Sequence, residues 1–181
     1  IFVHRENFSK HVYLSGKNSS GQLGDGTQNS RNGYAYGLSG VRDAAAGEDF
    51  SLFLKEDGSL WGTGGNDHGQ LGLGHENNQS TPQMIVPSGV QRIAAGFDHA
   101  FYVKQDGSLW GMGKNDQGQL GTGDQIDRNQ SVLIMPSGVR QVAAGKDHTL
   151  VLKTDGSLWA MGKNDLGQLG TGDTSARLFP T

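Results

Sequence analysis

The chain has 181 residues, enough for one ordinary domain, with 15 basic and 18 acidic side chains and a net charge of −3. That balance offers nothing to a phosphate backbone or an anionic membrane, so neither nucleic acid nor membrane is expected as a partner. Cysteine is absent, which removes disulfides, thiol nucleophiles and thiolate metal sites together.

Glycine accounts for 30 residues and proline for 4. No three-residue period is present, so the glycine is not collagen-like, and Trp, Phe, Leu and Val recur at fixed places, which argues against disorder. No apolar run approaches the ~18 residues of a membrane-spanning helix. The sequence starts at Ile1 rather than Met, a start that reads as processed or truncated.

In chain order the elements repeat. Residues 1–3, 12–16 and 32–38 read as the second, third and fourth strands of a first, incomplete unit. Residues 41–89, 90–138 and 139–181 read as three further units. Trp61, Trp110 and Trp159 are 49 residues apart, and Gly72, Gly121 and Gly170 keep the same step. Ala45-Ala46-Gly47, Ala94-Ala95-Gly96 and Ala143-Ala144-Gly145 form a second marker set in the same register. Such a period marks a repeat architecture.

Within one unit, residues 90–95 form a short strand of small residues. Residues 100–104 alternate, with Phe101 and Val103 on one face and Tyr102 and Lys104 on the other. Asp106-Gly107 supplies the positive φ of a hairpin, and residues 109–113 return as a third strand. A long polar loop leads to a fourth strand at residues 131–135, and Pro136-Ser137-Gly138 turns into the next unit. Four antiparallel strands in each such unit predict an all-β fold, a β-propeller of four-stranded blades. The last fourth strand is expected at residues 178–181. The alanines of each first strand suit a slim inner strand beside the axis. Each Trp is expected between blades, where full burial of roughly 150–250 Å² contributes about 4–6 kcal/mol gross.

Several patterns that resemble chemistry do not hold. Lys114-Asn115 and Lys163-Asn164 follow glycines, but a P-loop needs Gly-Lys-Ser/Thr opening a helix. Asp116, Asp124, Asp165 and Asp173 offer oxygen ligands without EF-hand spacing, and Asx turns already explain them, so no metal or cofactor is expected. His99 and His148 each follow an acid (Asp98, Asp147), yet the equivalent position in the preceding unit is Phe50. They read as satisfied strand-start histidines donating to backbone, and no catalytic residue is assigned. Asn7, Asn18, Asn78 and Asn129 open Asn-x-Ser sequons of the kind that polar loops generate by chance.

The pattern Ala-Gly-x-Asp-His…Asp-Gly-Ser-Leu-Trp-x-x-Gly-x-Asn-x-x-Gly-Gln-Leu-Gly-x-Gly-Asp resembles the repeat of the regulator of chromosome condensation family. It covers nearly the whole chain except residues 1–10 and 28–40. The resemblance implies a seven-bladed propeller of roughly fifty-residue repeats, of which about three and three-quarter blades are present. It also implies a binding scaffold, a nucleotide-exchange factor for a small GTPase, or a ubiquitin-ligase or bacterial effector module. An arc of this size leaves faces and edges open. Three resolutions are open: a missing remainder of the propeller, self-association with another copy, or closure alone as four blades.

Framework positions repeat in every copy, whereas two loop positions do not. One reads Glu48, Phe97, Lys146; the other reads Ser20, His68, Gln117, Leu166. A position that accepts acid, aromatic and base is not holding blades together, so these residues are the expected partner-binding rim. Trp61, Trp110, Trp159, Gly72, Gly121 and Gly170 are the expected frame. The function expected is therefore a non-enzymatic protein-interaction scaffold, with GTPase exchange factor and a polysaccharide-acting or sugar-binding propeller as alternatives.

Overall fold

The computed structural model describes residues 2–6 and 9–181, and every regular element among them is a β-strand. β1 (Phe2–Glu6), β2 (Ser9–Gly16) and β3 (Arg31–Ser39) make the first sheet. The second contains β4 (Val41–Ala46), β5 (Phe50–Lys55), β6 (Leu60–Gly64) and β7 (Gln79–Val86). The third contains β8 (Val90–Ala95), β9 (His99–Lys104), β10 (Leu109–Gly113) and β11 (Arg128–Met135). The last contains β12 (Val139–Ala144), β13 (His148–Lys153) and β14 (Leu158–Gly162). Strands pair antiparallel in sequence order, so each sheet is a propeller blade and the chain is an arc of a β-propeller. Ile1, read as part of the first strand, and Asn7, which opens a sequon, lie outside the described residues.

The hairpin between the second and third strands is set by Asp-Gly-Ser. Gly107 takes φ +79°, and the Asp106 carboxylate accepts from the Ser108 N–H (2.9 Å) and hydroxyl (2.6 Å). The Ser108 oxygen in turn accepts from Trp110 Nε1 at 3.0 Å. The same relay joins Asp57, Ser59 and Trp61, and Asp155, Ser157 and Trp159. Each Trp is part-buried rather than enclosed. Its ring lies under a lysine of the neighbouring strand, with Lys104 Nζ 4.6 Å from the Trp110 centroid. The area it removes from water is therefore smaller than full burial between blades would give.

Among the described residues the core consists of three layers, each between two successive blades. Val12, Leu14 and Leu23 meet Val41 and Phe53 with Trp61 at the margin. Phe50, Leu52, Leu54, Leu60 and Leu71 meet Val90, Ala100, Tyr102 and Met112. Phe101, Val103, Leu109 and Leu120 meet Val139, Val142, Val151 and Met161. A second strand between two neighbouring blades is buried on both faces, which is why β5 and β9 are apolar nearly throughout. In β13, burial alternates instead, because the last blade is covered on one side alone. Leu158 is 65% exposed where Leu60 and Leu109 are fully buried, so the chain does not close on itself as a four-bladed ring.

The expected fourth strand at residues 178–181 is not formed as a strand. Arg177 pairs with Gly162, and Thr181 exchanges backbone bonds with Ala160. The equivalent pairs in the second blade, Gln79 with Gly64 and Gln83 with Gly62, flank Pro82 within β7, which runs on to Val86, so the irregular pairing is common to both blades. The outer strand of the third blade begins earlier than expected, at Arg128 instead of residue 131, because Arg128 still pairs with Gly113.

Glycines of the loop after each third strand receive the next blade. A Cβ on Gly121 (φ +74°) would stand 2.3 Å from Met161 Sδ and 3.1 Å from Pro180. A Cβ on Gly170 (φ +68°) would meet nothing within 4 Å. Gly121→Ala thus combines left-handed strain with overpacking and is expected to lose roughly 2–5 kcal/mol in urea unfolding, against about 1–2 kcal/mol for Gly170→Ala. Equal losses would show that the blade contact does not act through this glycine.

Candidate protein-binding rim

Because strands alternate in direction, the loop between the first and second strands and the loop between the third and fourth strands share one face. Their contact is direct: Gly65, Lys114 and Lys163 donate backbone N–H groups to the carbonyls of Asp49, Asp98 and Asp147. The two variable sets, one in each kind of loop, therefore lie on the same face.

The inner set converges. Glu48, Phe97 and Lys146, with the Ala-Gly pairs preceding them, line one open depression of about 310 Å³. Backbone bonds hold this line across blades, from Glu48 N–H to the Phe97 carbonyl (3.0 Å) and from Phe97 N–H to the Gly145 carbonyl (3.3 Å). Lys146 Nζ sits 4.7 Å from the Phe97 ring centroid, which places a cation on an aromatic face at the mouth of the arc. Phe97 is half-buried, and Glu48 and Lys146 are exposed.

The outer set does not form one patch. His68 Nδ1 lies 2.8 Å from Asp127 of the next blade, an exposed ion pair when the ring is protonated. Gln117 N–H donates to the side chain of Gln119. Ser20 N–H and Leu166 N–H make the same bond to Gln22 and Gln168. Leu166 is 87% exposed at the end of the arc, away from the depression that Phe97 lines. Trp61, Trp110 and Trp159 lie in the interblade layers, and Gly72 and Gly121 carry the contacts of the following blade.

Sequence reasoning missed the residue that shapes the rim. Asn18, Asn66, Asn115 and Asn164 are all fully buried. In each, Oδ1 accepts from the leucine N–H five residues on at 2.9 Å, and Nδ2 donates to carbonyls nine and eleven residues on. The signal was its invariance in all four copies, together with the Gly-Gln-Leu-Gly that begins three residues on. The burial of Asn18 also leaves its sequon no room for a glycan. The carboxylates weighed as metal ligands are engaged elsewhere. Asp124 is held by Arg128 (2.6 Å) and Asp173 by Arg177 (2.8 Å), which lowers both carboxyls below their usual range.

His99 does not donate to backbone as expected. Its Nε2 lies 3.2 Å from the Thr149 hydroxyl of the next blade, and that hydroxyl donates to the Gln119 carbonyl at 2.9 Å. The Thr149 oxygen is thus the acceptor, and His99 carries its proton on Nε2. The ring rests on Gly96, where a Cβ would fall 2.3 Å away. Burial, with smaller contributions from His148 and Lys114, pushes its pKa down to about 3. Asp98 beside it is pushed up, first by burial.

The profile of the Regulator of chromosome condensation (RCC1) repeat matches residues 57–103 and 106–152, and a second profile of that repeat matches residues 41–70, 90–119 and 139–168. The chain belongs to the RCC1 repeat family. Among curated relatives, the human X-linked retinitis pigmentosa GTPase regulator is 36% identical over 41% of this chain, which spans 8% of that protein. The dog protein of the same name is 34% identical over the same share. Among solved structures, human WBSCR16 superposes with a TM-score of 0.79 at 28% identity over 96% of this chain and 49% of its own. Prp20p of Saccharomyces cerevisiae gives a TM-score of 0.83 at 22% identity over 95% of this chain and 46% of its own, a likeness of fold. This RCC1-repeat chain thus spans about half of those propellers and a small part of the curated relatives.

One part of the acid response of the fold follows from His99. Its folded pKa lies below the unfolded value of 6.5, so the unfolded chain takes up the proton first as pH falls. The stability that the neutral ring contributes is complete above about pH 6.5 and is lost progressively towards pH 3. Phe50 and Ala100 share a core layer at the corresponding positions of the preceding junction. His99→Phe alone should destabilise the chain by crowding Thr149. The pair H99F/T149A should regain most of that loss and flatten the acid limb of a stability-versus-pH curve. An unchanged acid limb would place the titration elsewhere.

Proposed function

We propose that the chain is a non-enzymatic protein-binding module whose partner docks on the face that carries both variable loops. The observation that supports this reading most is the convergence of Glu48, Phe97 and Lys146 on one depression. These positions differ in every blade, yet backbone bonds alone hold them in line. A half-buried aromatic ring capped by a cation, with an acid on the adjoining blade, provides an apolar anchor with polar groups around it. Propeller relatives favour a protein as the partner: the structure of Prp20p is described with its binding to Gsp1p and histones.

A second reading, exchange factor or regulator for a small GTPase, draws its support from the name of the retinitis pigmentosa relative. The two readings separate in one experiment. A protein captured by the chain is reconstituted with it, and affinity is measured for the parent and for the double variant F97S/K146E, whose thermal unfolding should match the parent. The variant is expected to bind at least about tenfold more weakly. Unchanged affinity would move the site off this depression. If the captured protein is a small GTPase, accelerated nucleotide release selects the regulator reading, and binding without release selects the scaffold.

A further inference from the structure

An asparagine carboxamide is an electrophile, and the amide nitrogen of the next residue is the nucleophile nearest to it. Asn32 is the one asparagine of the chain that a glycine follows. Both residues are exposed, and a Cβ on Gly33 would meet nothing within 4 Å. The nitrogen that could react therefore has no side chain shielding it.

A regular strand would still hold that nitrogen in its ladder. β3, however, is the edge strand of the first sheet. Leu14 pairs with Ala35 and Gly16 with Arg31, so residues 32–34 face the single residue Ser15. A bulge of this kind leaves its extra residues outside the ladder. Among the described residues the Asn32 carboxamide makes no hydrogen bond.

Dipeptides of similar chemistry elsewhere in the chain are closed. Gly26, Gly58, Gly107 and Gly156 each follow an aspartate, but their N–H groups donate to the carbonyls of Ser80, Lys55, Lys104 and Lys153. Asp57, Asp106 and Asp155 accept from the serine hydroxyl two residues on, which holds their carboxyls below the usual range and keeps them ionised, a poor electrophile. Asn129 is the counterpart of Asn32 in the third blade, where residues 129–131 bulge in the same way, and it is exposed too. Gln130 follows it, however, and the second blade pins both: Gly74 N–H donates to the Asn129 carbonyl, and Leu73 pairs with Gln130.

We propose that Asn32 and Gly33 form a self-modification site, at which the chain deamidates through a succinimide with water as the co-reactant. The Gly33 nitrogen gives its proton to hydroxide and bonds to Asn32 Cγ. The Cγ–Nδ2 bond breaks, and Nδ2 leaves as ammonia with a proton from water. A water molecule then opens the ring. Addition at Cγ yields aspartate; addition at the Asn32 main-chain carbonyl carbon yields isoaspartate, with the main chain rerouted through Cβ. Either product places a new carboxylate next in sequence to Arg31, whose guanidinium already holds Asp25 at 2.7 Å.

The test ages the folded full chain in mildly alkaline buffer and maps its peptides by mass. Asn32 is expected to convert at least about tenfold faster than any other asparagine, with ammonia released in step. The product should accept a methyl group from an isoaspartyl methyltransferase. Gly33→Gln, which reproduces the Asn-Gln pair of the third blade, should leave Tm within about 1 °C of the parent and slow the conversion at least about tenfold. An Asn32 that survives in the folded chain while a free peptide of residues 28–37 converts would show that the fold protects this bond, and overturns the proposal. Conversion spread equally over Asn29, Asn77 and Asn129, or a rate unmoved by G33Q, overturns it as well.

Discussion

Everything on the rim depends on one buried amide. A loop of about a dozen residues between the third and fourth strands has no ladder of its own, and its inward-facing polar backbone groups must find partners. Asn115 provides them from the inside: one oxygen takes the Leu120 N–H, and one nitrogen feeds the carbonyls of Asp124 and Ile126. With the amide in place, Leu120 points into the layer between blades and the glycines lie flat against the following blade. The same amide in the other three copies makes each loop a rigid bracket for its neighbour, so the loop that looks most flexible by composition is a structural joint.

The blades depend on each other through those joints more than through their own sheets. Each sheet has no core of its own, and each apolar layer is shared by two. Stability in such an array is a sum over junctions, and the blades at the ends contribute half as many as those between. The burial pattern of β13, alternating where β5 and β9 are continuous, expresses that difference along a single strand.

Most of the fold was legible because the repeat supplies its own alignment. Two marker sets in register gave the strands, the Asp-Gly hairpins and the small inner residues. The tail was harder to read, because residues 177–181 pair with the third strand at separated points, as the start of β7 does, and apolar alternation does not encode such an irregular register. Partners across blades were harder to read. His99 and Thr149 lie 50 residues apart and meet through the register of two sheets, which no local pattern encodes. The rim was legible as a set of varied positions, but its grouping was not. Sequence places Leu166 beside Gln117 in role, whereas geometry separates Leu166 from the depression that Phe97 lines. The buried asparagines were visible as an invariant letter, yet their role emerges when the carbonyls they gather are seen.

The line from Glu48 to Phe97 to Gly145 is made of main-chain groups alone. Main-chain bonds do not depend on which side chain is attached, so an acid, an aromatic ring and a lysine occupy successive places without disturbing the frame. The surface chemistry at the mouth of the arc and the stability of the fold are therefore written in separate alphabets. Side chains can be exchanged there one at a time, each change leaving the joints between blades as they were.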